Sequence, residues 1–208
     1  MPGGGDPRQP PVAPELQLPQ MVDQAADLAG YILVADPERL RHSEAVALRA
    51  EFLTLAVTAD QAPFLVAAAW LHDIGYAPGL RQTGFHPIDG ALHLRAAGWL
   101  AAMSDLVAHH SGSRFVAAVR QLDGELAPFG HQDDPLTDAL TVADQTAGPR
   151  GRSMTVEERI ADMLARHGPD SPNARAHRHR GPYLRAAARR VADRLEATGI
   201  NPAEHRIF

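Results

Sequence analysis

The sequence predicts an all-α fold, on three observations. Apolar residues recur at helical spacing from Met21 onward. Helix-start signals open one segment after another. No stretch alternates apolar and polar residues as a half-buried strand would, and no internal repeat is visible. The expected architecture is a multi-helix globular domain of several short helices rather than a regular four-helix bundle.

The first 20 residues are rich in Pro and Gly, as in Pro2-Gly3-Gly4-Gly5 and Pro10-Pro11, so 1–20 is expected to be a disordered tail. Residues 21–208 are expected to form one helical domain that includes the C-terminal helices. Met21 to Val34 opens it. Asp36-Pro37-Glu38 starts a second helix, with Asp as N-cap and Pro at the first position; it should turn Leu40, Ala45, Val46, Leu48 and Phe52 inward, and His42 with them. Pro63 opens a third, through Val66, Ala69 and Trp70 to His72-Asp73, before Gly75. Tyr76 to Pro87 reads as a loop. Ile88 to Trp99 and Leu100 to His110 read as two helices, broken by Ser111-Gly112-Ser113 before a short helix over Arg114 to Gln121. Pro135 starts a helix to Asp144. Thr155 with Glu158 three residues on resembles a capping box, for a helix to His167. Pro182 to Ala197 is the last helix, and Arg175 to Arg180, with His177 and His179, reads as a solvated basic loop.

Composition narrows the function classes. The chain has 208 residues, 45% hydrophobic and 22% charged, enough for one well-buried core. A formal net charge of −5 argues against a dedicated nucleic-acid binder. With no cysteine, disulfides, thiolate zinc sites and cysteine nucleophiles are excluded. No basic n-region precedes an apolar run, and every apolar stretch is broken well short of a membrane span, so a cytoplasmic location without membrane contact is expected.

Histidine is abundant, at 11 residues. The informative set is His42, His72-Asp73 and Asp144. An aspartate at a helix C-terminus opposes the helix dipole and calls for a compensating cation. A carboxylate behind the apolar run Ala139, Leu140, Val142 and Ala143 is costly to bury unless it is paired or metal-bound. Together the four give two imidazoles and two carboxylates. Such a set suits Fe, Mn, Co, Ni or Zn, and Mg less readily, and it can activate water for hydrolysis.

This pattern resembles the HD superfamily of metal-dependent phosphohydrolases. The residues that carry the likeness are Arg41-His42-Ser43, Leu71-His72-Asp73-Ile74-Gly75 and Val142-Ala143-Asp144, over about Arg39 to Asp144. The resemblance implies an HD-like helical domain and one or two divalent ions. His42, His72, Asp73 and Asp144 would hold the first ion. His86 with His109, or alternatively His110, would hold the second, with Asp73 bridging. His86 and the His109-x-x-Gly112 element are most similar to the bacterial symmetrical diadenosine tetraphosphate hydrolases. Tyr76 stands where many relatives carry Lys, so a phosphate-binding cation is sought in Arg41, Arg81 or Arg114. The Gly-Tyr-Pro element of the superfamily's cyclic dinucleotide phosphodiesterases is absent after the paired histidines.

The function expected is therefore a metal-dependent phosphohydrolase of a nucleotide or other small phosphoester. Asp73 is expected at the catalytic centre, and Arg41 and Arg114 on substrate phosphate. The implied partner is a small phosphorylated molecule; the oligomeric state is left open, a homodimer included. Two other functions share the pattern: a di-iron oxygenase, and a nucleotide-binding protein without turnover.

Overall fold

The structure is a computed structural model that describes residues 18–148 and 152–207. Residues 1–17 of the expected tail lie outside the described residues; the helix that follows starts at Leu18 rather than Met21. In chain order the helices are α1 (Leu18–Ile32), α2 (Pro37–Leu53), α3 (Ala62–Leu71), α4 (His86–Ala96), α5 (Ala101–His109), α6 (Ser113–Val119), α7 (Asp123–Leu126), α8 (Pro135–Thr146), α9 (Val156–His167) and α10 (Pro172–Ala197). The only β pairing among the described residues is an isolated bridge between Ala147 and Ser153. No helix among them is long and apolar enough to cross a membrane.

The capping signals act as their chemistry requires. Asp36 accepts from the Arg39 N–H at 3.0 Å to open α2, and Asp134 accepts from the Thr137 N–H at 2.7 Å to open α8. Thr155 and Glu158 form the reciprocal capping box of α9.

Helix α3 is the centre of the core. It is apolar all round, with Leu65 through Ala69 and Leu71 buried, and it packs against α1, α2 and α8. Its C-terminus therefore delivers His72 and Asp73 into the interior. The inward face of α2 is His42, Ser43, Val46, Ala47, Ala50 and Leu53. Leu48, expected inward, is 61% exposed, because the buried face of the helix runs through Val46, Ala47 and Ala50 and Leu48 falls outside it.

After α3 the chain makes two short 3-10 turns, Ile74–Tyr76 and Pro78–Leu80, and enters α4 at His86. Gly75 lets the first turn lie on the start of α4. A Cβ there would sit 2.0 Å from the His86 carbonyl oxygen and 2.5 Å from the Gly90 nitrogen. That close approach brings Asp73 beside His86.

The C-terminal region departs from the sequence expectation. Helix α10 begins at Pro172, with Ser171 as N-cap, and runs through Pro182. Gly181-Pro182 looked like a helix start because proline normally interrupts a helix interior. Here Gly181 is buried beside the His177 ring, 2.5 Å from where a Cβ would stand, and the helix continues. Residues 175–180 are therefore helical rather than a solvated loop. α10 packs on α6, α8 and α9. Its clamp is the buried Asp138 of α8, which accepts from Arg190 Nε at 2.9 Å, Arg190 Nη2 at 2.5 Å and Arg194 Nη2 at 3.0 Å.

Candidate metal centre

Two groups of side chains converge at the inner ends of these helices. His42, His72 and Asp144 form one group and Asp73, His86 and His110 the other; within each, the ligand-type atoms lie within 4.8 Å of one another. His42 comes from α2, His72-Asp73 from the end of α3, His86 from the first position of α4, and Asp144 from α8. His110 leads the turn after α5, where backbone φ/ψ of −55°/147° takes it out of the helix.

Asp73 stands between the two groups. Its Oδ2 is 3.4 Å from His72 Nε2 and 3.8 Å from His42 Nε2; its Oδ1 is 3.2 Å from His86 Nε2 and 3.9 Å from His110 Nε2. Asp144 Oδ1 faces His42 Nε2 at 3.1 Å, while its Oδ2 accepts from the Ser111 hydroxyl and from Gln145 Nε2 at 2.9 Å.

The donor chemistry fits a divalent cation. His72 Nδ1 lies 2.7 Å from the Ala69 carbonyl oxygen and His110 Nδ1 2.6 Å from that of Val107. A carbonyl only accepts, so each Nδ1 carries the proton and each Nε2 turns a lone pair inward. His72 Nε2 is buried with no hydrogen-bond partner and faces carboxylate oxygens. His110 Nε2 faces His86 Nε2 at 3.3 Å. Lone pairs so opposed need a proton or a metal between them.

The electrostatics point the same way. Burial opposes ionisation of Asp73, but His72, His86 and Arg39 outweigh it and hold the carboxyl well below the usual range. Burial likewise opposes ionisation of Asp144, and His42, His72 and Arg159 reverse it. Burial would lower His72, yet Asp73 and Asp144 raise it above an ordinary imidazole. His110 is pushed down to about 3 by burial and by neighbouring His72 and His86.

The groups open onto a cavity of about 240 Å³. Its arginines are Arg39, Arg159, Arg166 and Arg180. Arg39 Nη1 donates to Asp73 Oδ2 at 2.7 Å, and Arg159 Nη2 lies 3.8 Å from Asp144 Oδ1. Phe85, Val116 and Met163 supply apolar wall. A second opening of about 370 Å³ continues past Tyr76, Phe85 and His86 and is lined by Arg81 and Arg120.

Three expected residues stand elsewhere. His109 turns away: its Nε2 donates to the Phe129 carbonyl at 3.1 Å and its ring neighbours His131. His110 takes the place beside His86, because adjacent residues at a helix end project in different directions. Arg41 is exposed and does not line the cavity. Arg114 is engaged with His131 and Asp133 and lies over the rings of Phe115 and Tyr183, off the cavity. Sequence reasoning missed Arg39, although it stands one turn before His42 on the same face of α2. It also missed Ser111, read only as a helix breaker, and Arg180, hidden by the misplaced start of α10.

Comparison with known proteins agrees with this geometry. The family model described as HD domain matches residues 39–163, more than half of the chain. No curated protein and no solved structure matches the chain. Helix α10, with Arg180, lies beyond the matched residues.

Proposed function

The chain belongs to the HD domain family, and from that premise we propose that it is a metal-dependent phosphohydrolase acting on a nucleotide or another small phosphoester. The observation that carries the reading is the Asp73 carboxylate, one oxygen turned to His42 and His72 and the other to His86 and His110. One ion would be held by His42, His72 and Asp144 with Asp73, a second by Asp73, His86 and His110. Fe, Mn, Co, Ni or Zn suits this nitrogen and oxygen donor set. Divalent ions held there would lower the pKa of water and supply positive charge for the phosphoryl oxygens.

The protein's own groups then bind and orient. Arg39 and Arg180 present planar guanidinium donors, which match phosphate oxygens in pairs. The backbone carbonyls of Ala69 and Val107 keep His72 and His110 in the tautomer whose Nε2 faces inward. Phe85, Val116 and Met163 offer an apolar wall for the organic part of the substrate and keep water from that side.

The test is phosphate release by the stripped chain reloaded with Mn, Fe, Co or Ni, across mono-, di- and dinucleoside polyphosphates, beside Asp73→Ala. Metal-dependent release lost in the variant is the expected result. Oxygen uptake by the iron form without phosphate release would make the protein an oxygenase. Tight metal and nucleotide binding with neither reaction would make it a binding protein.

A further inference from the structure

Three planar groups beside the second group of ligands lie in a stack. The Arg39 guanidinium carbon is 3.8 Å from the centroid of the Tyr76 ring. The His86 ring rests on the same Tyr76 ring, with centroids 3.9 Å apart and planes 16° from parallel. Both outer members then reach one carboxylate. Arg39 donates to Asp73 Oδ2 at 2.7 Å, and His86 Nε2 lies 3.2 Å from Asp73 Oδ1. Asp73, His86, Tyr76 and Arg39 thus close a ring of contacts, with Tyr76 as the member opposite the carboxylate.

The stack answers a need specific to His86. His72 and His110 are oriented by backbone carbonyls at 2.7 and 2.6 Å. Among the described residues no backbone carbonyl orients the His86 ring; besides the ligand groups it has the aromatic neighbours Tyr76 and Phe85. It is also the most exposed member of its group, at 19% against 5% for Asp73 and 4% for His110. A partly exposed imidazole at a helix start loses rotamer freedom when it ligates, so whatever holds the ring beforehand strengthens the site.

We infer that Tyr76 is a positioning residue: its ring holds His86 in the arrangement the Asp73–His86–His110 position requires, and so sets ion affinity chiefly at that position. This rests on the two-ion reading proposed above. Cation–π contact with Arg39 and stacking on His86 both use the ring face. Phenylalanine therefore preserves the effect and alanine removes it. Tyr76 is 38% exposed, so its truncation opens no core cavity.

Calorimetric titration of the metal-free full chain with Mn²⁺ or Co²⁺ tests this, on wild type, Tyr76→Phe, Tyr76→Ala and His110→Ala, with a thermal melt of each without metal. The expected result is two ions bound by wild type and by Tyr76→Phe at affinities within about twofold. In Tyr76→Ala the ion that His110→Ala abolishes should weaken by about tenfold or more, the magnitude of losing a group that orients a ligand. The other ion should stay within about threefold and the melting temperature should move little. Two ions at wild-type affinity in Tyr76→Ala, or equal weakening of both, would overturn the inference. A wild-type chain that binds one ion would remove the two-ion reading itself, and the inference with it.

Discussion

Arg180 donates from Nε to the carbonyl oxygen of Ser111 across 2.7 Å. Ser111 is one of three non-glycine residues with positive φ among the described residues, at 51°, and its hydroxyl is bonded to Asp144. A side chain from α10 thus holds a strained turn with His110 on one side of it and Asp144 across from it. Arg180→Ala should lower divalent-ion affinity about tenfold through that turn. Arg180→Lys should restore part of it, since the ammonium keeps the charge but not the guanidinium geometry. Calorimetric titration with Mn²⁺ reads both; unchanged affinity in Arg180→Ala would show that the turn holds itself.

The two neighbouring histidines should behave as opposites. His110→Ala removes an inward lone pair and should abolish one bound ion. His109→Ala removes the contact with the Phe129 carbonyl and should leave ion stoichiometry intact, at a stability cost of about 1–2 kcal/mol. Loss of an ion in His109→Ala but not in His110→Ala would reverse the assignment.

The clamp between α8 and α10 makes an asymmetric prediction. Asp138 is 1% exposed, whereas Arg190 and Arg194 are 42% and 29% exposed. Removing the carboxylate leaves two cations that can still reach water, so Asp138→Ala should cost about 2 kcal/mol. Removing both arginines strands a buried carboxylate and should cost about 3–5 kcal/mol. Urea denaturation of both variants measures the difference; equal losses would mean that Asp138 is solvated.

Stability without metal should depend on pH. In the native chain His110 is pushed down to about 3, whereas an unfolded imidazole titrates near about 6.5. Below that value the unfolded state binds a proton the native state does not. The stability His110 contributes is therefore present above pH about 6.5 and is lost progressively as pH falls toward about 3. His86, lowered by burial, acts in the same direction. His72 is raised, so its contribution is present below pH about 6.5 and fades only as pH rises through its native value. The urea midpoint of chelator-treated protein should fall between pH 7 and pH 4.5, and fall less in His110→Gln. A flat midpoint in the wild type would contradict the buried, neutral imidazole.

Much of this was legible in the sequence, and the failures have physical causes. Helix-start signals act over one turn, so the starts of α2, α8 and α9 could be read from Asp36-Pro37, Pro135 and Thr155 with Glu158. The clustering of His42, His72, Asp73 and Asp144 could be read because buried imidazole and carboxylate need partners. The choice between His109 and His110 could not, since it turns on the backbone leaving the helix at His110. Nor could the start of α10, where Gly181 and Pro182 carry local signals for a boundary that packing on α6, α8 and α9 overrides. Nearness in sequence points to Arg41 and Arg114. Arg39 and Arg180 take their place because helix phase and tertiary packing decide which guanidinium reaches the cleft.

The order of these parts along the chain has a consequence for how such a protein can diversify. Every side chain of the two ligand groups falls between His42 and Asp144. Three of the four arginines around the cavity, together with Met163 and Asn173, come afterwards, from α9 and α10. The two ligand-type groups and most of the cavity's arginines thus lie in successive stretches of sequence. Exchanging residues along α9 and the first half of α10 can re-tailor what enters the cleft while the ligands upstream stay as they are, much as a tool keeps its motor when its fitting is changed. The exceptions are Arg180, whose bond to Ser111 couples the two stretches, and Arg159, which lies 3.8 Å from Asp144; they mark where that freedom stops.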